Sequence, residues 1–291
     1  MRINNYRYDG DGKFKLSDYD AGLGKKKLDK KKILAETEKN VAEIAALQDK
    51  LYADSKESVL IILQAMDAAG KDGTIKHVMS GINPQGVDVY SFKQPSSDEL
   101  SHDFLWRIHS KTPPKGKIAI FNRSYYEDVL VARVRELNKT YQMPSRCTGM
   151  STEKFFDKRY KHIKHYEEFL YDNGCRIVKL FLNVSKETQK KRFMERIENP
   201  AKNWKFSSSD VKERGMWDDY QKAYTLAIEN TATKECPWYI IPADKKWYMR
   251  YLVSEAVLKA LKACDPQYPK LAEKEIAKLG EYKAMLENEK D

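Results

Sequence analysis

Cysteine is scarce in this chain, with only Cys147, Cys175, Cys236 and Cys264 among 291 residues. They form no CxxC pair and no metal-ligand spacing, which excludes a zinc ribbon and a disulfide framework. They read as buried or idle thiols of a reducing cytoplasm. Long apolar runs are missing too, so no stretch has the length of a membrane span. Residues 1–24 are polar and lack the apolar run of a secretory signal. There is no internal repeat, no low-complexity linker and no RNA- or DNA-binding motif. These absences leave a cytoplasmic globular protein with neither membrane nor nucleic acid as its expected partner.

Acidic residues are in short supply. Fifty-three Lys and Arg face 43 Asp and Glu, for a formal net charge of +10 and a pI of about 9.1. Such a surplus favours a polyanion. Nucleic acid, an anionic membrane and inorganic polyphosphate all qualify on charge alone, as does a lysine-rich surface that only keeps the chain soluble.

What is present is a strand–helix alternation. Short apolar runs at 59–63, 87–92, 118–122, 176–184 and 238–241 alternate with helical patterns near 73–80, 97–110, 124–137, 151–173, 185–198, 209–232 and 245–263. Before them, Ile33, Leu34, Val41, Ile44, Leu47 and Leu51 fall on one helical face. This is the pattern of a parallel five-stranded sheet covered by helices on both faces. Residues 1–28 show no periodicity and are expected as an arm on the surface or on a neighbouring subunit of a homo-oligomer. Residues 265–291 are rich in Lys and Glu and are expected as an exposed helical tail. One domain over 1–291 is the economical organisation.

The first strand runs into Gln64, Ala65, Met66, Asp67, Ala68, Ala69, Gly70, Lys71, Asp72, Gly73 and Thr74. Gly70 and Lys71 stand where a Walker A loop turns into its helix. There backbone N–H groups and the helix dipole hold phosphate, and lysine adds a mobile cation. Two positions depart from that motif. Ala65 replaces the first glycine, and Asp72 replaces the hydroxyl that normally meets Mg²⁺. A hard cation needs oxygen ligands, so Asp67 and Asp72 are the metal candidates. His77, two turns on, is a candidate contact for a polyanion.

The third strand ends in Asn122 and Arg123, which should project into the same crevice, outside the carboxyl ends of the strands. Arg123 can clamp phosphate and offset transition-state charge. Glu127 or Asp128 can also face the crevice, although Asp128 suits a solvated helix start. Further on, Arg192 and Arg196 lie four apart on one helical face, followed by a polar break holding Lys202 and Lys205. The region 185–215 is expected as a cationic lid.

Taken together, these residues resemble the polyphosphate kinase 2 family. The matching segments are 67–73, 92–95 (Phe-Lys-Gln-Pro, with Lys93), 102–107, 121–128 and the 199–210 break. The resemblance spans roughly residues 30–263. It implies a three-layer α/β/α P-loop kinase fold with a helical lid, Mg²⁺ as cofactor, and polyphosphate with AMP, ADP, ATP or guanosine nucleotides as substrates. It implies that Asp67 holds the metal, that Lys71 stabilises the transferred group and that Arg123 clamps phosphate. Ala68, Ala69, Gly70, Asp72, Gly73, Lys93, Asn122 and Glu127 would bind nucleotide or phosphate. Lys76, His77, Arg192, Arg196, Lys202 and Lys205 would bind polyphosphate or close the lid. Asn122, where many relatives carry Asp, together with Glu127 resembles the subgroup acting on both nucleoside mono- and diphosphates. The competing readings are an ATP-dependent nucleoside monophosphate kinase and a non-catalytic nucleic-acid-binding protein. No pocket for sandwiching a donor base is legible, and acids inside the anion loop would repel a phosphate backbone.

Overall fold

The computed structural model describes residues 2–289. Its centre is a sheet of six strands: β1 Arg7–Tyr8, β2 Ser58–Gln64, β3 Val87–Ser91, β4 Ile118–Asn122, β5 Cys175–Asn183 and β6 Trp238–Pro242. Their spatial order is β1-β6-β5-β2-β4-β3, and all neighbours are parallel except β1 and β6. The sequence pattern gave five strands; the sixth is β1. Two residues cannot show an alternation, and these lie in a stretch without one. They pair with Tyr239 and Trp238 and so cover what would be an open edge of the sheet.

Strand β2 is buried along its whole length because both sheet faces are covered. On β5, Lys179 and Phe181 turn towards one helical layer, made of α3 Thr152–Asp172 and α6 Trp217–Thr231. The alternate residues turn to the other layer, where α7 Lys246–Cys264 packs on the sheet and α1 Lys30–Asp54 packs on α7. Helix α1 starts where Asp29 accepts the N–H groups of Lys31 and Lys32. It ends at Ser55, in left-handed backbone at φ 51°.

The remaining helices that matter here are α2 Lys71–Val78, α4 Lys186–Glu198, α5 Ser208–Gly215 and α8 Leu279–Glu287. The expected single helix at 209–232 is two, α5 and α6, broken at Met216. The patterns at 97–110 and 124–137 are realised as short helical turns.

The first residues do not lie loosely on the surface. Ile3, Tyr6, Tyr8, Phe14 and Leu16 are buried in the core of their own chain. The backbone N–H of Ile3 donates to Glu255 on α7 at 2.8 Å, and the Tyr6 and Tyr248 hydroxyls are 3.0 Å apart. The end of the chain differs. Residues Ile276, Leu279, Met285 and Leu286 are exposed along the last helical turns, as is Leu271 just before them. Among the described residues, no helix is long and apolar enough to cross a membrane.

Candidate active site

Strands β2 and β4 are neighbours in register, Leu63 beside Asn122. Their carboxyl ends therefore deliver the loop 65–70 and the segment 122–128 to one crevice. The Arg123 N–H still donates to Leu63 O at 3.1 Å, and then Arg123 turns into left-handed backbone at φ 66°. That turn aims its side chain back over the loop.

The loop itself alternates sharply. Ala68 stands at φ 60° and Gly70 at φ 111°, each in the left-handed region. Such alternation makes a concave nest of N–H groups. Helix α2 begins at once at Lys71, so the unpaired N–H groups of its first turn face the same space.

Side chains close the crevice. Arg123 donates to Asp67 at 2.7 Å and lies 3.7 Å from Glu127. Asn122 donates to Asp72 at 2.8 Å. Lys71 is buried and donates to the carbonyl of Ala65, the position of the missing first glycine, at 3.0 Å. Burial holds the Lys71 pKa below its usual value, and the charge of Arg123 adds to this; Asp67, Glu127 and Asp72 pull the other way. Burial raises the Glu127 carboxyl, against Arg123 and Lys71. Gln64, with its amide turned to suit its neighbours, donates to Glu127 at 3.0 Å and accepts from Ser124. Asp67, Lys71, Asp72, Asn122, Arg123 and Glu127 thus form one cluster.

Behind it lies a dry anchor. Glu167 on α3 accepts from Lys179 at 2.6 Å and from the Tyr125 and Tyr126 hydroxyls, each at 2.7 Å. These groups are fully buried and fix the chain directly after Arg123 and Ser124.

Asp128 is not a solvated helix start. Burial pushes its carboxyl up to about 6, against the charges of Arg159 and Arg107, and it accepts from Tyr141 at 3.5 Å. Lys93 is exposed, and its backbone carbonyl accepts from Arg107 at 2.9 Å.

The expected lid cations are arranged unevenly. The Arg192 guanidinium reaches back to backbone carbonyls of the phosphate loop rather than out to solvent. Arg196 donates to Asp210 at 3.3 Å and to the carbonyl of Lys205 at 3.2 Å. Lys202 pairs with Glu195, and Lys205 lies over the exposed Trp204 ring. Asp210 itself faces the crevice: burial raises its carboxyl, and the negative charge of Asp67 raises it further.

Two cations that the sequence reading missed complete the rim. Lys246 and Arg250 lie one turn apart on α7. Together with Lys76 they have no ion-pair partner among the described residues. Their charges are felt. Burial depresses the His77 pKa, and Arg250 and Lys76 depress it further. Burial also lowers Lys246, aided by Arg192, Arg250 and Lys202. The i, i+4 spacing of Lys246 and Arg250 was readable, but α7 otherwise reads as a core helix.

Comparison with known proteins gives the family. The polyphosphate kinase 2 family model matches residues 27–269. The chain belongs to the polyphosphate kinase 2 family. Within it, the chain is 43% identical over 271 residues to the AMP/ADP-polyphosphate phosphotransferase of Meiothermus ruber, covering 92% of this chain and 96% of that one. It is 48% identical over 231 residues to the ADP-polyphosphate phosphotransferase of Rhodopseudomonas palustris, covering 79% of each. The crystal structure of polyphosphate kinase 2 from Arthrobacter aurescens superposes with a TM-score of 0.88 at 37% identity, over 99% of this chain and 97% of that one. In this chain the sheet is dominated by parallel strands, and the loop 65–70 follows β2, which lies between β5 and β4.

Proposed function

We propose that this chain transfers the terminal phosphoryl group of inorganic polyphosphate to AMP or ADP, reversibly, with a divalent cation. The observation that carries the reading is the phosphate nest with Lys71 and Arg123 beside it, continued by a strip of cations without acid partners. A bare polyanion has no base to grip, so charge must supply its affinity. Lys76, His77, Lys246 and Arg250 form a rim suited to that, with Lys202 and Lys205 on the lid side.

The reacting groups are held rather than chemically altered by the protein. Loop N–H groups take phosphate oxygens, Lys71 follows the moving phosphoryl group, and Arg123 clamps from the β4 side. The transition state is loose, so placement and charge neutralisation carry most of the acceleration. Release of Asp67 from Arg123 when phosphate arrives would free both groups for ligands. Glu127, turned inward beside Arg123, orients that guanidinium.

Among the described residues no three His, Cys, Asp or Glu side chains converge as a metal cage. The donor set nevertheless fits Mg²⁺, which keeps several waters and takes one or two carboxylates plus substrate phosphates. Asp67 and Asp72 are the two oxygen donors at the phosphate loop. When bound, the cation would neutralise charge on the phosphates. Acceptance of guanosine nucleotides, formation of ATP, a homo-oligomeric state and a cytoplasmic location belong to the same proposal.

The test is one assay: purified protein, Mg²⁺ and AMP or ADP, with and without polyphosphate. ADP from AMP and ATP from ADP, only with polyphosphate, is the expected result. Phosphorylation with ATP as sole competent donor would overturn it.

A further inference from the structure

Arg192 is placed unlike a polyanion ligand. Its Nη1 donates to the carbonyls of Ala68 at 2.9 Å and Ala69 at 2.7 Å. Its Nη2 donates to the carbonyls of Ala243 at 2.8 Å and Asp244 at 3.2 Å. Four of the five N–H groups of a guanidinium are thereby spent on backbone. One turn earlier on the same face of α4, Gln189 donates to the carbonyl of Asp67 at 3.0 Å. Gln189 is buried, and its own carbonyl accepts from Arg214 on α5 at 2.9 Å.

Three consecutive loop carbonyls, 67 to 69, are therefore turned towards α4. In a trans peptide the following N–H points the opposite way. The N–H groups of Ala68, Ala69 and Gly70 are so directed away from α4, towards the crevice. Ala69 N–H is partly used, to Met66 O at 3.3 Å; those of Ala68 and Gly70 make no hydrogen bond among the described residues. Ala68 accepts left-handed backbone at φ 60°, a conformation that disfavours alanine. Something must hold it there, and the loop lacks the glycine that a Walker A loop has at position 65.

We propose that Gln189 and Arg192 are positioning residues of the phosphate loop: they hold its carbonyls outward so that its N–H groups form the anion nest, and Arg192 does not bind polyphosphate. The planar fork is required, because an ammonium cannot reach two pairs of carbonyls on opposite sides. Through Arg214 and Gln189, the position of α5 in the lid region is felt at the carbonyl of Asp67.

This inference rests on the polyphosphate reading only for its kinetic arm. The experiment compares parent, Arg192→Lys, Arg192→Ala and Gln189→Ala by two readouts. Hydrogen exchange over residues 64–72 needs no turnover; steady-state kinetics is run at several salt concentrations. Expected is faster exchange confined to the loop in all three variants. Expected also is a kcat lower by about 100-fold in both Arg192 variants, as for ångström-scale misplacement of a reacting group. The slope of log KM for polyphosphate against log salt should stay that of the parent. Gln189→Ala should lie between, and it carries the test if the Arg192 variants do not fold. Normal loop exchange, or a normal kcat with a shallower salt slope and recovery by lysine, would make Arg192 a polyanion ligand and overturn the proposal. If the parent fails with polyphosphate, loop exchange and tripolyphosphate binding by calorimetry still decide it.

Discussion

Arg123 Nη2 and Asp67 Oδ1 stand 2.7 Å apart, joining the ends of two adjacent strands across the mouth of the phosphate loop. Both side chains remain partly open to solvent, so the pair contributes at most ~1 kcal/mol to stability. Its value is chemical. Asp67→Asn should lower kcat by about 100-fold or more while leaving the thermal midpoint nearly unchanged. Steady-state kinetics over a Mg²⁺ series, beside a melting curve, checks this. Near-normal turnover at ordinary Mg²⁺ would move the metal to Asp72.

His77 reports on the cationic rim without taking part in the reaction. Burial, Arg250 and Lys76 hold its pKa below the usual 6.5. A bound polyanion offsets those charges, so polyphosphate should raise the His77 pKa. The imidazole resonance followed by NMR against pH, with and without polyphosphate, gives the answer. No shift on saturation would place the polyanion elsewhere.

The Lys179–Glu167 pair should behave as a buried charge pair. Lys179→Met alone leaves a carboxylate uncompensated and should cost ~3–5 kcal/mol. Adding Glu167→Gln keeps an acceptor for the Tyr125 and Tyr126 hydroxyls and should recover much of the loss. Urea denaturation of parent, single and double variants measures it. Equal losses in both would show that packing, not charge, is at stake.

Asp128 gives a pH signature. Its folded pKa, about 6, lies above the unfolded value of 3.8. Folding thus favours the protonated acid, and stability falls as pH rises from about 4 to about 6, then levels off. Asp128→Asn should lack this fall. Relative to parent, the variant should gain ~2–3 kcal/mol between pH 4 and pH 7. Denaturation curves at both pH values check the sign, and a constant difference would refute it.

Much of this was legible in the sequence, for reasons that differ by residue. Strand β2 is buried on both faces, so its apolar run announced itself, and Gly70 and Lys71 followed directly. Asn122 and Arg123 were readable because the end of a parallel strand fixes where the next residues go. Strand β1 was not, since its two residues gain their meaning from Trp238 and Tyr239. Gln189 and the bonds of Arg192 were not either. Their partners are backbone carbonyls, which every residue carries and no sequence marks. The spacing of Arg192 and Arg196 gave a shared face correctly but could not tell a solvent-facing cation from one turned to the backbone.

The pairing of Arg7 with Tyr239 and Tyr8 with Trp238 also sets a clock. On the ribosome the first strand emerges long before the one it pairs with. At about 5–20 residues per second, it waits on the order of 10–45 s for β6 to be made. During that interval Ile3 and Tyr6, whose partners Glu255 and Tyr248 come later still, have no core to enter. A nascent chain stalled before residue 238 should therefore expose its first residues to protease.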